Sequence, residues 1–109
     1  MYNATMTTDL MRGHLDRLLL AVLVDSPGHG YELSRRVEAR SEGELGVPEG
    51  SLYPALHRLE RNKLVDSTWS SLEGRRRRIY RLTAAGRRSL EASRLEWQAF
   101  AIAIERVLA

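Results

Sequence analysis

The chain contains no cysteine, which excludes disulfides, thiolate metal sites and a thiol nucleophile. The same lack fits a reducing compartment. Aromatic residues are scarce at 6%, so the core must be built from Leu, Val, Ile and Ala, a composition that leans helical. Lysine is nearly missing as well. Lys63 stands alone among seventeen basic residues, and the other sixteen are arginines, the side chain suited to forked contacts with phosphate and guanine. The longest apolar run, Leu18 to Val24, falls far short of the roughly 18 residues a membrane span needs. It follows Arg12, His14 and Arg17 like the apolar stretch of a secretory leader, but Asp25-Ser26-Pro27-Gly28 reads as a turn and not a cleavage site. No membrane partner is expected, and the location expected is cytoplasmic. Three isolated histidines make no metal-ligand spacing, so neither metal nor cofactor is expected. Nor is there a nucleophile elbow, a phosphate-cradling glycine loop or a zinc-helix motif, and the carboxylates are scattered over helices. The chain reads as a non-enzyme.

What is present fills one domain. A chain of 109 residues, 43% hydrophobic and 28% charged, has the composition of a folded protein with one modest core. The net charge of +3 hides a strong segregation. Residues 50–88 carry ten Lys/Arg against three acids, while the remainder carries seven against eleven. One surface is therefore suited to a polyanion.

Residues 1–8 show no periodicity and are expected to form a flexible arm. A first helix is predicted from about Asp9 to Val24, with Leu15, Leu18, Leu19, Val22 and Leu23 on one stripe. Met11, Leu20 and Val24 make a second apolar face, which calls for a partner beyond the chain's own core. Ser26 to Gly30 is dense in turn formers, and His29 is expected to bond backbone there. A second helix follows over about Tyr31–Arg40. The third, about Ser51–Asn62, has Leu52, Ala55, Leu56 and Leu59 facing inward. Its opposite face carries Tyr53, Pro54, His57, Arg58 and Arg61, with Ser51 at its start. Pro54 is tolerated in a first turn, which sets the helix start near Glu49 to Ser51.

Beyond Lys63 the period shortens. Leu64–Ser71 and Arg77–Thr83 read as two strands around Ser71-Leu72-Glu73-Gly74, with Gly74 at positive φ. This hairpin carries Arg75, Arg76, Arg77 and Arg78, of which strand alternation lets only some face one ligand. Trp69 is expected to pack the hairpin onto the domain. Thr83 caps a last helix of about Ala84–Leu108, where Leu90, Trp97 and Ile104 recur every seven residues, as do Phe100 and Val107. With Ala101 and Leu108 they make an apolar seam, to which Leu20 and Val24 are added as the expected dimer interface.

The order helix, helix, helix, strand, strand is that of a winged helix-turn-helix, mostly α with a small β-hairpin. The division expected is an arm over 1–8, a DNA-binding unit over 9–83 and a dimerisation helix over 84–109. In such a unit the third helix enters the major groove and the hairpin meets phosphates, so the partner expected is double-stranded DNA. The candidate DNA contacts are Ser51, Tyr53, Pro54, His57, Arg58, Arg61 and Arg75 to Arg78. For His57, a phosphate donor, a bystander and a pH-sensitive group stay open. A winged helix used for protein interaction or for non-specific DNA binding is the rival reading, while exposed aromatics are too few for an RNA-stacking platform.

Four segments carry a resemblance: Met11-Arg12-Gly13-His14-Leu15-Asp16, Pro27-Gly28-His29-Gly30-Tyr31-Glu32-Leu33, Pro48 through Glu60, and Tyr80-Arg81-Leu82-Thr83-Ala84-Ala85-Gly86. They resemble the PadR family of bacterial transcriptional regulators, in the subgroup that closes on a single helix. The resemblance implies a homodimeric repressor on an inverted-repeat operator. It also implies, as in some members, an aromatic or drug-like effector held between subunits, for which Trp97 is the matching residue. Two departures stand out: Lys63 replaces a usual Gly after the third helix, so Asn62 or Lys63 must take a left-handed turn, and Ala84 replaces a frequent Pro.

Overall fold

The computed structural model describes residues 11 and 13–109. The arm expected over 1–8 lies outside the described residues. Helix α1 spans Leu15–Leu23, strand β1 Gly28–His29, α2 Gly30–Arg40, α3 Glu49–Arg61, β2 Val65–Leu72, β3 Arg75–Leu82 and α4 Ala84–Leu108. The strands form one antiparallel sheet in the order β1-β3-β2. The fold is the mostly helical winged helix-turn-helix that the element order implies.

The expected first helix is interrupted. Gly13 adopts φ +86°, a conformation that side chains disfavour, and α1 begins only at Leu15. The second apolar face of α1 needs no outside partner either. α1 runs through the middle of the domain against α2, α3, β3 and α4. Leu20 is 2% exposed and Leu90 of α4 is 5% exposed, so both belong to the chain's own core and neither has surface to give a dimer seam. Val24 is half-buried against the same core. Leu19, Leu33, Leu56 and Leu59 are fully enclosed, and truncating any one to alanine typically costs about 2–5 kcal/mol.

The connectors follow from local chemistry. His29 caps α2: its Nδ1 accepts the Glu32 N–H at 3.3 Å, while the Glu32 carboxylate accepts the His29 N–H at 3.1 Å. The segment expected as a plain turn also pairs as β1, Gly28 opposite Tyr80 and His29 opposite Ile79. At the end of α3, Lys63 takes φ +61°; its N–H bonds the Glu60 carbonyl and the Leu64 N–H bonds the Leu59 carbonyl. Pro54 lies in the second turn of α3, not the first. The Gly50 carbonyl that loses its donor is on an exposed segment where water can take over. The hairpin turn is shorter than expected. Glu73 (φ +55°) and Gly74 (φ +74°) alone connect β2 and β3, the two-residue geometry that matches strand twist.

One junction joins the hairpin to α4. The Thr83 hydroxyl lies 2.8 Å and 3.0 Å from the carbonyls of Lys63 and Leu64, and it accepts the Gly86 N–H at 3.0 Å. A Cβ on Gly86 would stand 2.1 Å from the Leu64 carbonyl oxygen, which is backbone and cannot swing away. Gly86→Ala is therefore expected to destabilise the fold by about 1–3 kcal/mol, although alanine is the better helix former. A urea midpoint equal to or above that of the unmodified chain would refute this contact. Burial of Tyr80, aided by the Glu60 carboxylate, raises its phenol above the ordinary value of 10. A raised folded-state pKa contributes stability that is full below the unfolded value and lost as pH climbs past it. Thermal melts from about pH 8 to 11 should show a steeper alkaline loss for the native chain than for Tyr80→Phe.

Candidate nucleic-acid interface

Helix α3 divides its residues as the pattern requires. Leu52, Ala55, Leu56 and Leu59 are buried, while Tyr53, Pro54, His57, Arg58 and Arg61 are exposed. The exposed set does not form one patch, because α3 lies between two hollows. On the hairpin side, Tyr53 and His57 line a groove of about 810 Å³ whose other wall includes Trp69 and Arg75 to Arg78. On the α1 side, Ser51, Pro54 and Arg58 line a smaller recess of about 330 Å³ with Met11, Gly13, Leu15, Pro48 and Gly50. Arg61 lines neither.

Arg58 already has a partner. Its Nη2 and Nε donate to the two carboxylate oxygens of Asp16 at 2.8 Å and 3.4 Å. That hydrogen bonding and the Asp16 charge raise the guanidinium pKa further. The pair ties α3 to α1 and aims Arg58 toward the smaller recess.

Close approach of backbone to ring shapes the groove. A Cβ on Gly30 would come within 2.8 Å of the Tyr53 ring, so the bare start of α2 lets that ring approach its backbone closely. Glu60, one turn beyond His57, accepts a hydrogen bond from the Ser67 hydroxyl. Ser67 in turn accepts from Arg78 Nε at 2.7 Å, and Arg78 Nη2 lies 3.5 Å from Glu60. The hairpin is thus bonded to α3 side chain to side chain.

Register then sorts the four arginines. Trp69 is opposite Arg78 and Ser71 opposite Arg76, placing Arg76 and Arg78 on the face that also carries Ser67 and Tyr80. Arg75 and Arg77 point to the other face, where they line a hollow with His29, Glu32 and Ile79. Arg77 Nη1 lies 2.7 Å from His29 Nε2. Trp69 does not pack the hairpin onto the domain as expected. It is 54% exposed, with the guanidinium carbons of Arg76 and Arg78 at 4.6 Å and 5.2 Å from its ring centre. Trp69 shares the sheet face of Val65, but the core ends at Val65, four residues short of it.

The seam residues are far from this groove. α4 has 25 residues, about 37 Å of helix, and only its first turns are packed. Arg17 donates to the Ser93 carbonyl at 3.2 Å and to Glu96 at 3.1 Å, and His14 meets the Trp97 ring edge-on. Beyond that clamp Phe100, Ile104, Val107 and Leu108 are exposed, and Ala101 is half-buried. His14, Arg17, Glu96, Trp97 and Phe100 enclose a shallow recess of about 220 Å³. Among the described residues no cluster could hold a metal ion, and no helix is long and apolar enough to cross a membrane.

Residues 19–92 match the transcriptional regulator PadR-like family. Among curated proteins, the chain is 30% identical over 91 residues to uncharacterized protein X of Lysinibacillus sphaericus, spanning 83% of this chain and 84% of that protein. It is 41% identical over 70 residues to transcriptional regulator Rv3488 of Mycobacterium tuberculosis, spanning 64% and 63%. Among solved structures, a transcriptional regulator from Clostridium thermocellum superposes with a TM-score of 0.84 at 30% identity, covering 90% of this chain and 96% of that one. A PadR family transcriptional regulator from Eggerthella lenta gives 0.83 at 28% identity, covering 96% and 90%. The family match takes in α2, α3, the whole hairpin and the junction at Gly86, the elements that build the groove. The chain belongs to the PadR-like family of transcriptional regulators, DNA-binding proteins that carry out no catalysis.

Proposed function

We propose that the chain is a homodimeric repressor that binds an inverted-repeat operator in double-stranded DNA, acting in the cytoplasm. The observation that carries this reading is the groove in which Tyr53 and His57 of α3 face Arg76 and Arg78 of the hairpin. An α-helix fits the major groove, and arginines on a neighbouring hairpin fit the flanking phosphates. In this reading residues 9–83 contact DNA through Ser51, Tyr53, Pro54, His57, Arg58, Arg61 and the arginines of the hairpin. Residues 84–109 pair the protomers through Trp97, Phe100, Ala101, Ile104, Val107 and Leu108. Exposure of most of these apolar side chains along the outer half of α4 supports the pairing. Trp97 has a second role, as the contact for an aromatic or drug-like effector in the recess beside His14.

Fluorescence anisotropy with a duplex from the chain's own upstream region, and with a scrambled duplex, at two salt concentrations tests the reading. Saturable binding to the native duplex alone, with two protomers per site, is expected. Equal and strongly salt-dependent binding to both would reduce the chain to a non-specific DNA binder, and no binding to either would favour a protein-interaction module. Arg58→Ala is expected to weaken specific binding by about 1–3 kcal/mol. Unchanged affinity would leave Arg58 as a structural tie to Asp16 only. Ile104→Glu is expected to halve the mass seen by light scattering, and a persisting dimer would remove the seam.

A further inference from the structure

We infer that Trp69 is a positioning residue for DNA binding: its ring gathers Arg76 and Arg78 into a preformed pair of phosphate donors facing α3. The inference rests on the DNA-binding reading above and adds a residue to it. Arg76 and Arg78 are two apart on one strand and share a face, so their like charges sit side by side. Left alone, two long guanidinium side chains in that position repel and spread through many rotamers. The Trp69 ring counters both tendencies, because its negative face attracts each guanidinium at 4.6 Å and 5.2 Å.

The two arginines depend on the ring to different degrees. Arg78 is also held by Ser67 at 2.7 Å, and through Ser67 and its own contact at 3.5 Å by Glu60 of α3. The Arg76 guanidinium has no hydrogen-bond or ion-pair partner among the described residues, so the ring is what fixes it. A line of contacts therefore runs from Glu60 through Ser67 and Arg78 to Trp69 and Arg76. It sets the charged face of the hairpin in a constant relation to Tyr53 and His57 across the groove. Ordering these side chains in the free protein lowers the entropy lost when they meet phosphates. Trp69 is exposed and outside the core, so nothing in the packing of the domain requires a tryptophan there.

A double-mutant cycle separates positioning from direct contact and from a folding effect. Affinity for the operator duplex is measured for the unmodified chain, Trp69→Ala, Trp69→Phe, Arg76→Ala/Arg78→Ala and the triple variant. Salt is kept low enough that every variant binds, and circular dichroism verifies each fold. Trp69→Ala is expected to weaken binding about 3- to 10-fold in the native background and less than about 2-fold once both arginines are gone, with Trp69→Phe in between. An equal loss in both backgrounds would overturn the inference, since Trp69 would then act without the arginines. No loss in the native background would overturn it as well, while leaving the DNA reading intact. An unmodified chain that binds no duplex would remove the DNA reading and this inference together.

Discussion

The Leu64 carbonyl and the Thr83 side chain meet where four elements converge. Leu64 closes the end of α3 through its bond to Leu59 and opens β2; Thr83 ends the hairpin and caps α4. Their backbones are joined by the Thr83 N–H donating to the Leu64 carbonyl at 3.2 Å, and Gly86 lets α4 press against that carbonyl. The tilt of the hairpin relative to α3, and so the width of the groove, depends on this knot, as does the direction in which α4 leaves the domain. A winged fold this small has few long-range hydrogen bonds to spare, and several of them are spent at this point.

Beyond the knot, the hairpin is held to α3 by polar contacts and not by core packing. Val65 and Tyr80 are the last buried residues of the sheet, and past them Glu60, Ser67 and Arg78 take over. Such contacts lie at the surface and are individually weak, but they tie the charged strand to the helix it works beside. The pleat divides the arginines, two toward α3 and two toward the start of α2, where Arg77 meets His29. His29 therefore caps a helix, pairs as a strand and abuts the hairpin at once.

Elements governed by local chemistry were legible from the residues alone. The stripe Leu52, Ala55, Leu56 and Leu59 marks the buried face of α3, the bounds of α4 follow from Thr83 and the heptad-like repeat, and Lys63 takes the left-handed turn that a missing glycine forces on it. Less legible were features that depend on a distant partner. β1 is too short to carry a period and exists because β3 offers an edge to it. Leu20 looked unpartnered because a helical wheel cannot tell a surface helix from one enclosed on several sides. Trp69 was expected to pack the hairpin onto the domain and is exposed instead, since a strand's residues do not show how far along it the core extends.

Periodicity, capping and charge are properties of neighbouring residues, so the order of the four helices and the two hairpin strands, the inward stripe of each short helix and the concentration of arginine between residues 50 and 88 could be read from the residues alone. It took the packed fold to bind Arg58 to Asp16, to bring Arg76 and Arg78 onto the Trp69 ring, and to set Gly30 where it makes room for Tyr53. Each of those contacts joins residues far apart in the chain or on facing strands. Their distances are set by how the helices and the hairpin pack, which no local pattern encodes.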